Sequence, residues 1–207
     1  MTERDRTTGA RGALAAPADR YYADASSRMI ALVVDAVLLT VLIFIVAIPV
    51  SLVIGPAVEF DSAADQLGDA VTVDTTVAAV NAALSLALSA GYFAASWVLR
   101  RATPGQRLLD LSVVREGDGA RLGAGAAIVR WGLLGAPFGL FAFVTTVASG
   151  IDQALLDVPV AAWYLALLVT TARDSRKRGI HDRVAGTVVV KRAVPARWDS
   201  ASAPDAV

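Results

Sequence analysis

The apolar residues of this chain gather into long unbroken runs instead of recurring as a stripe along polar helices. Four runs stand out, at residues 29–54, 77–99, 132–151 and 155–172. Roughly 20 apolar residues, rising ~1.5 Å each in a helix, cross the hydrocarbon core of a bilayer. Each run therefore predicts a membrane-spanning helix. The fourth is short and carries Asp157 and Pro159 near its start. Two smaller runs have another character. Leu111–Arg115 (LSVVR) and residues 186–191 (GTVVVK) are Val-rich and bounded by turn-forming or charged residues. They are too short to span, and they predict two strands that pair with each other, with Val113, Val188 and Val190 covering the end of the bundle. The expected fold is an all-α membrane protein, a four-helix transmembrane bundle with a small two-stranded cytoplasmic β element, over residues 21–192. Residues 1–20 and 193–207 hold too little apolar area to offset the entropy of ordering and are expected to be disordered cytoplasmic ends. The first of these has no apolar core that would make it a signal peptide.

Polar positions orient the runs. Between the first two lie Glu59, Asp61, Asp65, Asp69 and Asp74, with no Lys or Arg. Between the second and third lie Arg100, Arg101, Arg107, Arg115, Arg121 and Arg130, and another basic group follows the fourth, from Arg173 to Arg192. The leading segment is basic too. Basic loops stay on the cytoplasmic side, so both termini and the long middle loop are expected on the cytoplasmic side of a plasma membrane. Tyr21, Tyr22, Trp97 and Trp131 stand at interfacial positions, whereas Trp163 and Tyr164 fall deeper. Ala79, Ala83, Ala87, Gly91 and Ala95 make a small-residue stripe suited to close helix packing. Pro137, between Gly135 and Gly139, predicts a kink. Thr103-Pro104-Gly105 predicts a short helical turn.

Composition narrows the chemistry. The chain has 207 residues, 56% of them hydrophobic, and a formal net charge of zero. Its mean hydropathy of +0.56 is that of a membrane protein. There is no cysteine and one histidine, His181, so thiolate sites, disulfides and a His-rich metal cluster are excluded. No metal or other cofactor is expected. No serine–histidine–aspartate order, phosphate loop or dinucleotide fingerprint is present, and the chain does not read as an enzyme. The neutral balance argues against a nucleic-acid partner.

Asp35 is the most pointed feature. A carboxylate at mid-span carries a penalty of about +2.5 to +3.5 kcal/mol, so it needs a partner or a task. Arg28 stands at the mouth of the same run, two turns and ~10 Å away along the axis. The expectation is one intramembrane polar network of Arg28 and Asp35, completed by Arg130 or by Asn81, Ser85, Ser89 or Tyr92 of the second span. Asp35 then serves either as a titratable cation or proton site or as a clamp that fixes helix register. Near the C-terminal end, Asp182 and His181 invite an acid–base reading. Their place in the RKRGIHDR stretch favours a structural role, with Asp182 capping a short helix or pairing with Arg107 or Arg183. Arg176, Lys177 and Arg178 read as an anchor for anionic lipid headgroups.

Three stretches together resemble one family: Ser27-Arg28-Met29 leading to Asp35, Thr103-Pro104-Gly105-Gln106-Arg107, and His181-Asp182-Arg183 leading to Val190. The chain is similar to the RDD family of prokaryotic membrane proteins over about residues 20–192. The resemblance implies that Arg28 and Asp35 are the family's arginine and first aspartate, and that Asp182 is its second. Gln106 stands where the family often has a basic residue. A role in ion or small-solute transport is what the resemblance implies for function. The alternative is a non-transporting scaffold that docks a partner through its basic cytoplasmic face. Expected partners are the anionic bilayer surface and either another protein or a second copy of the chain.

Overall fold

The structure, a computed structural model, describes residues 20–60, 71–147 and 153–192. The expectations for residues 1–19 and 193–207 lie outside the described residues. Five long helices carry the fold: α1 Ala25–Ile54, α2 Thr75–Arg100, α4 Ala124–Leu134, α5 Ala136–Val147 and α6 Gln153–Arg173. Two one-turn helices, α3 Pro104–Leu108 and α7 Ile180–Val184, each precede a strand. Strands β1 Arg20–Tyr22, β4 Leu111–Arg115 and β5 Thr187–Arg192 form an antiparallel sheet in the order β1-β5-β4, and β2 Val58–Phe60 pairs with β3 Val71–Val73.

Helix starts follow local chemistry. The Asp24 carboxylate accepts from the Ser27 amide at 2.9 Å and caps α1, and Asp74 caps α2 through the amides of Thr76 and Val77 at 2.9 and 3.0 Å. Helices α1 and α2 are long and apolar enough to cross a membrane. Over the third run the helix starts earlier, at Ala124, and is broken: α4 and the stretch through Thr145 meet at a bend of 46° and pass the same test only as a pair, whereas α6 over the fourth run is not among the helices that pass it. The break follows from Pro137, which has no N–H for the Leu133 carbonyl. Trp163 of α6 donates its indole N–H to that carbonyl at 2.9 Å, and the Tyr164 hydroxyl donates to the Leu134 carbonyl at 2.9 Å. The two deep aromatics of the fourth run are therefore braces for the kink.

Two expectations change at the sheet. It has a third strand, because β1 pairs with the free edge of β5 through Tyr22 and Val190. The β4–β5 register sets Val113 opposite Val189 and Val114 opposite Val188. Val113 and Val189 join Trp97, Phe93 and Ala31 in the core beneath the helices, whereas Val188 and Val190 pack with Val114 and Tyr22. The expected parity of β5 was off by one residue, and side chains alternate faces along a strand. The small-residue stripe of α2 also falls elsewhere. Ala83, Ala87, Gly91 and Ala95 face outward, and nothing lies within 4 Å of where a Cβ on Gly91 would sit. Helix α2 instead packs on α4 and α5 through the face bearing Ser85, Ser89 and Phe93, with the Trp131 indole donating to Ser89 at 3.0 Å.

Candidate functional site: two buried carboxylates at one end of the helices

Asp35 is 1% exposed and points at the start of α3. Its Oδ1 accepts the Tyr92 hydroxyl at 2.7 Å and the Gly105 amide at 2.8 Å, and its Oδ2 accepts the Thr103 hydroxyl. Thr103 and Gln106 form a capping box, so α3 is built as an N-terminus whose free amide meets a carboxylate. Glycine is required at position 105: a Cβ there would lie 2.3 Å from the Ala31 carbonyl oxygen and 2.9 Å from the Asp35 carboxyl carbon. Asp35 thus pins the Thr-Pro-Gly turn to the first helix.

Asp182 is fully buried in α7 and sits between two guanidiniums. Arg28 reaches Oδ2 at 2.7 Å and Arg130 bonds Oδ1. Arg130 also donates to the Thr187 hydroxyl at 2.7 Å and lies over the Trp97 ring, 5.0 Å from its centroid. Arg28 donates further to the carbonyl of Ala23 at 3.1 Å and, more weakly, to that of Val189 at 3.4 Å. Thr187, the first residue of β5, bonds Asp182 Oδ1 at 3.1 Å. One carboxylate therefore ties together α1, α4, α7 and the sheet.

The single expected network of Arg28, Asp35 and Arg130 is two clusters. All three side chains line one cavity of about 370 Å³, but among the described residues no hydrogen bond joins Asp35 to either arginine. The helical separation of Arg28 and Asp35 explains this: Asp182 is within reach of Arg28 and Asp35 is not. Of the polar groups expected from the second span, Tyr92 is the one that meets Asp35. Arg107 does not join His181 and Asp182 as the cytoplasmic motif. It lines a separate cleft, and Arg183 pairs with Asp174 at 2.9 Å. Arg176 and Arg178 are likewise held, both on Glu116, with Arg178 also on Asp174 at 3.2 Å.

His181 Nε2 lies 3.5 Å from Asp182 Oδ2, and its Nδ1 is buried with no hydrogen-bond partner among the described residues. Burial, then the charges of Arg130 and Arg28, holds its pKa well below the usual 6.5. The imidazole is therefore neutral in the folded protein at physiological pH. Below pH 6.5 the unfolded chain takes up a proton that the folded one resists, so stability falls as pH drops through that value. The melting temperature should decline between pH 7.5 and 5.5, and the decline should be smaller in His181→Gln. Asp174 adds loss only at much lower pH. Its burial is outweighed by the hydrogen bonds and charge of Arg178 and by the charge of Arg183, which hold its pKa at about 2.

The pairing of distant residues around Asp182 was missed because sequence spacing carries no signal for it. Thr103 and Gly105 were more accessible: a capping box with proline and glycine in its first turn marks a free amide looking for an anion. No curated protein and no solved structure matches the chain. The RDD family model matches residues 22–186, which include Arg28, Asp35, Thr103 and Asp182, and the chain belongs to the RDD family.

Proposed function

We propose that this RDD family protein is a four-crossing protein of the plasma membrane and a non-transporting scaffold, with both termini and residues 100–130 on the cytoplasmic side. Helix α6 serves as the fourth crossing: its 21 residues extend about 32 Å, enough for the hydrocarbon core. The orientation is supported by the acidic loop before α2 and the basic one after it. Since the chain has no cysteine, single cysteines at the exposed positions Glu59 and Arg121 can report it. An impermeant thiol reagent should label the first from outside intact cells and the second only after permeabilisation; labelling of both from outside would defeat the topology.

The observation that carries the scaffold reading is the closure of Asp35. Three donors from α2, the Thr-Pro-Gly turn and its backbone occupy both oxygens, and the residue is 1% exposed. A carrier carboxylate needs an exchangeable site. Asp182 is closed in the same way by two arginines and Thr187. Both carboxylates hold the cytoplasmic sheet to the helices, and the sheet and its basic rim are the surface offered to partners. In proteoliposomes with an imposed proton or sodium gradient, the parent and Asp35→Asn should both match protein-free vesicles. A parent flux that Asp35→Asn abolishes would sink the reading.

One observation favours transport as a second reading. A cavity of about 610 Å³ among α1, α2, α5 and α6 lies back to back with the 370 Å³ cavity near Asp35. Leu32, Phe93, Leu134 and Tyr164 line both. Such a wall would act as a gate between two half-channels, and the same flux assay decides between the readings.

A further inference from the structure

Two groups of basic residues at the cytoplasmic end contrast in their partners. Arg176, Arg178 and Arg183 are paired with Glu116 and Asp174, so both arginines of the RKR stretch expected to meet headgroups are engaged within the protein. Arg100, Arg107 and Arg192 are different. They line one cleft of about 310 Å³ together with Asp110 and Ser112, and among the described residues none of the three has an ion-pair partner. Three guanidiniums face one carboxylate, Asp110, which itself forms no ion pair there. The cleft is thus a site of excess positive charge with its donors uncommitted. Guanidinium forks match the oxygens of a phosphate better than any other common anion except a carboxylate.

Its position selects the source of that phosphate. Arg100 is the last residue of α2, at the end of a membrane-spanning helix. Leu99 and Leu108, adjacent to Arg100 and Arg107, are 65% and 72% exposed. Large apolar side chains this open beside arginines fit a surface that dips into the acyl boundary while the charges stay at headgroup level. We propose that the cleft of Arg100, Arg107 and Arg192 binds the phosphate of an anionic phospholipid in the cytoplasmic leaflet, with the Ser112 hydroxyl as an additional donor. The proposal rests on the cytoplasmic placement of residues 100–130 and gives the basic rim of the scaffold its first partner.

The test uses the full-length detergent-purified protein with three probes: dioleoyl phosphatidate, dioleoyl phosphatidylcholine and inorganic phosphate. Native mass spectrometry should show phosphatidate retained in preference to phosphatidylcholine. Replacing two arginines in Arg107→Gln/Arg192→Gln should weaken that retention roughly thirtyfold, since each basic residue near an anionic surface is worth about fivefold. Arg121→Gln, exposed but outside the cleft, should bind as the parent does. The three positions of these variants are exposed, so thermal melting without lipid should be unchanged and serves as the folding control. Equal retention by the parent and the double variant would overturn the proposal. Displacement of the lipid by inorganic phosphate at equal concentration would also overturn it, by making the ligand a soluble phosphate. Ion flux through the protein would refute the scaffold reading and leave these lipid measurements standing.

Discussion

Asp182→Ala is expected to lower the melting temperature of the purified protein by about 10 °C, the shift that a loss of about 3–5 kcal/mol gives in a chain of this size. The reason is charge balance. Asp182 is the one anion between two cations, Arg28 and Arg130, and Arg130 is 2% exposed. Removing the carboxylate leaves two guanidiniums facing each other in a buried site, with Thr187 a poor substitute. Arg28→Ala should be milder. It leaves Asp182 paired with Arg130 and Thr187, and Arg28 is the more exposed of the two arginines. A loss of about 1.5–3 kcal/mol, the range for a hydrogen bond to a charged group, is expected for it, because its bonds to the Ala23 and Val189 carbonyls sit at the partly exposed edge of the cluster. Thermal unfolding in one detergent compares the two variants. Equal losses would mean that Asp182 is not the shared counter-ion.

Gly105→Ala should destabilise by about 3 kcal/mol, the upper part of the range for overpacking a tight contact. An added methyl would overlap the Ala31 backbone carbonyl at 2.3 Å, and backbone cannot swing aside as a side chain can. To make room, α3 must lift from α1, which breaks the Gly105 bond to Asp35 and loosens the Thr103 cap. Gly139→Ala provides the contrast. There the methyl would meet only the end of the Leu86 side chain, at 2.5 Å, and a rotamer change relieves it. Chemical or thermal denaturation should separate the two by roughly 2 kcal/mol. Similar losses would show that α3 is not locked against α1.

These effects also show where the sequence was informative. The α1 and α2 spans are legible because a bilayer requires long apolar runs, and the runs are there. The β4 and β5 strands are legible from their valines and flanking turns. Strand β1 is not, since three residues, Arg20-Tyr21-Tyr22, have no period of their own and become a strand only because β5 offers an edge. The hairpin of β2 and β3 hides within an acidic loop for the same reason. Helix α4 begins among Gly123, Ala124 and Gly125, where hydropathy is flat, so its start is not legible from the apolar run. At the site, the need of Asp35 for partners could be read from its depth, and Tyr92 was among the candidates. The choice of Asp182 by Arg28 and Arg130 could not, because those partners lie 154 and 52 residues away and are brought together only by the closed fold.

We propose that the buried carboxylates lock the sheet and its two short helices onto the long helices and carry no ion. Hydrogen–deuterium exchange over residues 103–115 and 179–190, in the parent and in Asp35→Asn, tests it most directly. Tight amides in the parent and a selective loss of protection at 103–109 in the variant are predicted, because the Gly105 amide loses its anionic acceptor while the Asp182 cluster keeps its own. Unchanged exchange at 103–109 in Asp35→Asn would contradict the account.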